Sequence, residues 1–343
     1  MQRARIASAC LVLAALSLSV PAVRAEVTTD QPGAILVFPK IVSNDDQDTT
    51  IQITNATGFR VFARCFFVDA SLDPITQEPT WLVTDFQTTL TRLQPTVWVA
   101  GQGLPAVPND GRPDDLYPGP IPPVSVGFIG EMRCIVVDES ERPIARNALI
   151  GEATITQRST GATRKYRAIA VPGLRGNNGD NTLLLNDVEY SSCPRAILFN
   201  HFFDDAPDPI TDQPLRSRLI VVPCSLDMES SVPGTSRLAI EVFNEFEQKL
   251  STALPVVCFE DIALSAIDNA SSPELSVFNF ATQGTVVGHS RLSVAVDADT
   301  DHGHGVFVIA EERREGGVND EALNVHFLGG NLQADVMVLP DPF

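Results

Sequence analysis

The chain has 343 residues, with 43 Asp and Glu against 24 Lys and Arg, a net charge of −19 and a pI near 4.5. That balance argues against a nucleic-acid partner, which needs a local excess of basic side chains. A content of 44% hydrophobic and 20% charged residues excludes both a disordered acidic tail and a membrane-embedded bundle.

From the N-terminus, Arg3 and Arg5 precede a short apolar run over residues 11–20, followed by Pro21-Ala22-Val23-Arg24-Ala25. A positive flank, an apolar core and small residues three before and immediately before Glu26 read as a secretory signal peptide over residues 1–25. The apolar run is about half of the roughly 20 residues that span a bilayer. The protein is therefore expected to be exported, to the periplasm, the cell surface or the medium. Loss of Arg3, Arg5 and Arg24, and of no acid, takes the net charge from −19 to −22 in the expected mature chain, residues 26–343. No later stretch suits a membrane helix, so no integral membrane segment is expected in it. The terminal Phe343 is a barrel-like feature, but Pro340 and Pro342 break that last segment, and several strand-like runs are apolar on both faces.

Beyond residue 25, β-branched and aromatic segments recur at 34–38, 50–54, 61–68, 96–99, 134–137 and 148–155, each bounded by Gly, Pro, Asn or Asp. Helical periodicity is nearly absent, and 22 Gly and 25 Pro would interrupt long helices. Between Gly101 and Pro123 lies an insertion with seven prolines and no strand pattern, read as a stiff connector or an interaction loop. Gly, Asn and Asp cluster over residues 172–181, which places a boundary between a first domain, residues 26–175, and a second, residues 182–343.

The halves echo one another. Residues 34–38 resemble 196–199, and residues 51–55 with 63–66 resemble 240–244 with 256–259. Each half also ends in a hairpin pattern, 148–156 with 165–171 and 305–312 with 323–328. The expected class is all-β, as two tandem immunoglobulin-like β-sandwich domains; a single larger jelly-roll-like sandwich is the alternative.

The mature chain would hold five cysteines, none in a C-x-x-C spacing, so zinc-ribbon and thioredoxin-type readings fall away. Export favours disulfides. Cys65 with Cys134 would staple strands of the first half in the manner of an immunoglobulin inter-sheet bridge, and Cys224 with Cys258 is the matching pair of the second. Cys193 is then the candidate free thiol, either buried and inert, or reactive, or linking two chains.

Three segments invite a test for chemistry. Gly288-His289-Ser290-Arg291-Leu292 approaches a serine-hydrolase elbow, but the elbow needs Gly where Leu292 stands, and the segment continues as a strand. The loop Asp297-Ala298-Asp299-Thr300-Asp301-His302-Gly303-His304-Gly305 is the leading ligand candidate. Asp297, Asp299 and Asp301 offer hard oxygens to calcium, without the spacing of an EF-hand, while His302 and His304 suit a transition metal. As a plain alternative it is a polar hairpin turn. His201, with Asp204, Asp205, Asp208 and Asp212 downstream, is either an acid–base or metal cluster or a hydrogen-bonded strand end. Residues 43–48 and 177–181 read as solvated loops. Only two Trp and three Tyr leave no visible stacking strip for glycans, and the 18 Phe lie mostly in strand runs.

Gly33-Ala34-Ile35-Leu36-Val37-Phe38-Pro39, Asp48-Thr49-Thr50-Ile51-Gln52-Ile53-Thr54-Asn55, His201-Phe202-Phe203-Asp204 and Phe243-Asn244-Glu245-Phe246-Glu247 resemble phrases of uncharacterised exported bacterial proteins with immunoglobulin-like β-sandwich repeats. The resemblance implies an architecture and carries over no catalytic residue. The expectation is an exported, non-enzymatic protein with a structural or adhesive role at the cell envelope or surface, bound to a protein or other envelope partner through loops 101–123 and 297–305. The alternatives are a calcium-dependent binding module and a secreted hydrolase using Ser290 and a histidine.

Overall fold

The β-branched segments become strands in the computed structural model, which describes residues 26–73, 75–76, 79–106, 116–295, 304–314, 321–330 and 334–341. The expected signal peptide lies outside the described residues. The protein is all-β. Its first half carries β1 (Ile35–Ser43), β2 (Gln47–Asn55), β3 (Val61–Asp69), β4 (Val83–Leu90), β5 (Pro95–Val99), β6 (Phe128–Val137), β7 (Leu149–Gln157), β8 (Thr163–Arg167) and β9 (Ile169–Val171). These form one sheet in which β1 and β2 meet only at Ser43 and Asp48, so that it folds into two arms. One arm runs β4-β3-β6-β1-β9 and the other β5-β2-β7-β8.

The second half repeats this scheme. Its strands are β11 (Pro194–Phe202), β12 (Leu215–Pro223), β14 (Thr235–Asn244), β15 (Lys249–Val257), β16 (Glu260–Ala263), β17 (Val287–Val294), β18 (Val306–Arg314), β19 (Glu321–Asn324) and β20 (His326–Gly330). They pair as β15-β14-β17-β11-β20 and β16-β12-β18-β19, matching the first half strand for strand. The short strands β10 (Thr182–Leu185), β13 (Leu226–Asp227) and β21 (Asp335–Val338) form a separate sheet beside the junction. Among the described residues, no strand of the first half pairs with one of the second.

This equivalence corrects the repeat read from the residues. The closing hairpins correspond as expected, but β2 matches β12 and β3 matches β14. Residues 51–55 and 240–244 are thus one strand out of step. Both are edge-bounded alternating segments, and composition cannot distinguish neighbouring strands of such a repeat.

The cysteine assignments change for the same reason. Cys65 and Cys134 are joined, but as directly opposed residues of neighbouring strands β3 and β6, with Cα atoms 4.0 Å apart, and not between facing sheets. The equivalent strands β14 and β17 put Ile240 opposite Leu292, an apolar pair with no cysteine. The expected Cys224–Cys258 bridge is replaced by Cys193–Cys224, and Cys258, not Cys193, is the buried free cysteine. Cys258 follows the outer strand β15, whereas Cys193 and Cys224 flank β11 and β12 next to Gly305. Gly305 is required there, since a Cβ would stand 2.4 Å from the Cys193 Cβ.

Strands β1 and β6 are buried along almost their whole length, and β12 and β18 along most of theirs. Burial on both faces explains why they read as continuous apolar runs. On β12 and β18, alternate side chains serve two cores: Leu219, Val221, Val306 and Val308 face the second half's own core, while Ile220, Val222, Phe307 and Ile309 join the core of the first half. The halves therefore share one continuous apolar junction.

Charges are buried in that junction. A register shift in β1 between Phe38 and Ile41 marks a bulge at Pro39-Lys40. The Lys40 backbone is held on both its N–H and its carbonyl by the Tyr166 hydroxyl of β8. The Lys40 ammonium reaches across to Asp261 Oδ2 and Glu311 Oε1, each at 2.8 Å. Arg164, Arg218 and Arg313 complete the network at 3.7 Å from Glu311, 2.8 Å from Asp261 and 3.1 Å from Glu311, respectively. Arg133, itself fully buried, grips Glu131 with its Nε and Nη2 and donates to the Cys224 carbonyl at 2.9 Å. Burial would raise Asp261 and Glu311, but Lys40 and the surrounding arginines outweigh it and hold both carboxyls below their ordinary values.

Candidate functional site

Two segments that lie 89 residues apart meet in the second half. Antiparallel pairing of β11 with β17 sets Phe199 opposite Ser290, Asn200 opposite His289 and His201 opposite Gly288. Gly288 is needed at that crossing, since a Cβ would lie 2.6 Å from the Phe203 ring and 2.7 Å from the His201 ring. The His201 Nε2 is 2.9 Å from the Ser290 hydroxyl, and its Nδ1 is 3.2 Å from the Phe202 carbonyl. Donation from Nδ1 to the carbonyl leaves Nε2 to accept from Ser290.

That polarity is the one a general-base pair requires, but the surroundings oppose it. Ser290 is wholly buried, and His201 is packed among the rings of Phe199, Phe203 and Phe278 with centroids 5.2–5.7 Å away. Burial holds the imidazole at about 4, below its ordinary 6.5, and so keeps it neutral at pH 7. The pair satisfies two buried polar groups by bonding them to each other.

Three of the four acids after His201 are occupied elsewhere, and the fourth, Asp212, is exposed on the turn. Asp204 accepts from the backbone N–H groups of Ser217 and Ser265 at 2.7 and 3.0 Å. Asp205 takes Arg216 and the Asn279 amide. Asp208 caps the backbone of Ile210 and Thr211 and binds Arg314, contacts that hold its carboxyl far below the usual range. Residues 43–48 are likewise a turn, closed by the Asn44 side chain on the N–H groups of Asp46 and Gln47.

The remaining candidates are only partly within view. Asp297, Asp299, Asp301 and His302 lie outside the described residues, as does the stretch 107–115 of the Pro-rich insertion. Leu104 pairs with Ile121 at the base of that insertion, and Ile121 is buried. His304 is half-buried: its Nδ1 is 3.0 Å from the Ser225 hydroxyl and 3.2 Å from Asp335 Oδ1. The bond to Asp335 raises His304 above its ordinary 6.5. The Asp335 carboxylate also lies within 4.8 Å of the Cys193 and Cys224 sulfurs, but these are consumed in their bridge.

A concave site opens beside His201, where the ends of β11, β14 and β17 converge. It is a cavity of about 490 Å³ walled by Phe202, Phe243 and Val287, with Glu245, His289 and Glu312 at its polar side. His289 is fixed by the Asn200 side chain at 3.0 Å. Its lining was read in the sequence only as separate phrases, at His201-Phe202, Phe243-Asn244-Glu245 and Gly288-His289, and Glu312 had no signal of its own, because these segments lie far apart in the chain.

Two disulfides are compatible with an exported protein. No helix among the described residues is long and apolar enough to cross a membrane. No protein-family model matches the chain, and no curated protein matches it in sequence.

Proposed function

We propose that the chain is exported through a cleaved signal peptide and that its halves are tandem immunoglobulin-like β-sandwiches. On this reading they serve a non-enzymatic structural or adhesive role at the cell envelope or surface. The carrying observation is the junction, in which a shared apolar core and the buried Lys40–Asp261–Glu311 cluster join the halves. Such a junction suits a rigid body that holds its two ends at a fixed distance, a geometry useful for contact and spacing. The exposed surface would then meet its partner, while the His201–Ser290 pair packs the interior.

The test combines pull-down and turnover. The purified protein, bearing a cleavable tag, is incubated with detergent-solubilised cell envelopes and cross-linked, and in parallel assayed on ester, peptide and glycoside panels. Recovery of a reproducible envelope partner without turnover supports the proposal. Turnover that disappears in Ser290→Ala, with no partner captured, would replace it with the hydrolase reading.

A further inference from the structure

The cavity at the ends of β11, β14 and β17 has a size ordinary for a small-molecule site. Its charged side chains all carry one sign. Glu245 and Glu312 line it, and among the described residues no Lys or Arg does. Of its two imidazoles, His201 is kept neutral by burial. The nearby cations already have partners: Arg314 holds Asp208, and Lys249 holds Glu241.

Two further observations favour a positive occupant. Glu312 on β18 stands directly opposite Glu321 on β19, a like-charge cross-strand pair that costs stability unless something offsets it. The Phe243 ring already attracts an ammonium, with Lys249 Nζ 5.9 Å from its centroid. An aromatic wall beside two carboxylates complements an apolar body with a cationic head.

We propose that this cavity binds a small organic ammonium ion, its charged head between Glu245 and Glu312 and its apolar body against Phe202, Phe243 and Val287. Glu312 is faced by Glu321 on β19, by Ser217 on β12 and by Arg314 on its own strand, and it shares the cavity lining with Glu245 and His289. Burial first, and Glu321 second, push its carboxyl up to about 7. A bound cation favours the ionised form, so affinity should rise with pH between 6 and 8.

The test uses benzylammonium, with benzyl alcohol as its neutral counterpart and benzoate as its anionic one, titrated into the purified protein by calorimetry and ligand-observed NMR. Benzylammonium should bind at least about tenfold more tightly than either control, and Glu312→Gln should remove most of that preference. Val287→Trp, which fills the cavity from the rim, should abolish binding while circular dichroism shows the fold intact. Equal binding of the three probes, no binding of benzylammonium, or a preference that survives Glu312→Gln would each overturn the proposal. Because the readout is direct binding, it stands apart from the envelope-partner experiment.

Discussion

Replacing Lys40 with Met keeps the aliphatic stem and deletes the charge at the centre of the junction. Lys40 is 2% exposed and contacts two carboxylates at 2.8 Å. Removing one member of a buried ion pair costs about 3–5 kcal/mol, because the partner charge is left desolvated. Here Glu311 would keep Arg164 and Arg313, and Asp261 would keep Arg218, so the cost should be about 3 kcal/mol. Urea unfolding should show a lower midpoint with unchanged slope. The sign of the pH dependence follows from the same groups. Asp261 and Glu311 are held below their ordinary 3.8 and 4.5, so their contribution is present above those values and is lost as pH falls through the lower folded values. Lys40→Met should flatten this acid limb. A variant within about 0.5 kcal/mol of the parent, with the acid limb intact, would refute the view that Lys40 holds these acids ionised.

Thiol titration should find no reactive group in the folded protein and, in denaturant, one thiol from Cys258 if residues 1–25 are absent. Paired Cys193→Ser and Cys224→Ser substitutions should lower stability by about 3–4 kcal/mol on the chain-entropy view, and should expose no second bridge to Cys258 by mass spectrometry. His201 is held at about 4 against an ordinary 6.5, so the stability it confers as a neutral group is complete above 6.5 and declines as pH falls toward 4. His201→Gln should remove that slope in calorimetric scans, and an unchanged slope would contradict the burial argument. If Asp297, Asp299 and Asp301 hold calcium, melting should drop in chelator and recover with added calcium. An identical melting curve, with no metal in native mass spectrometry, would end that reading.

Much of the fold was legible in the chain. Short β-branched runs between Pro, Gly and Asx residues became strands, and the two closing hairpins fell where the alternation placed them. The step that failed was the alignment of the repeat. With β2 matched to β14 instead of β12, Cys258 took the place of a residue equivalent to Cys65, and the wrong bridge followed. The candidate site was less legible. His201-Phe202, Phe243-Asn244-Glu245 and Gly288-His289-Ser290 each attracted notice separately, but only strand pairing brings them into contact, and the wall supplied by Glu312 had no local signal at all.

Composition and patterning by themselves determined the class of this protein: an all-β chain with apolar strands, acidic loops and enough cysteines for bridges, because strand alternation and turn chemistry are local properties. The acidic balance noted at the outset belongs mainly to the solvated surface. Tertiary structure alone decided which charges leave that surface. Lys40 reads as an ordinary cation in sequence, and becomes the centre of the junction because a bulge in β1 aims it at Asp261 and Glu311, 221 and 271 positions further along the chain. Partnerships at such separations depend on pairing register and sheet packing, and no short stretch of residues encodes either.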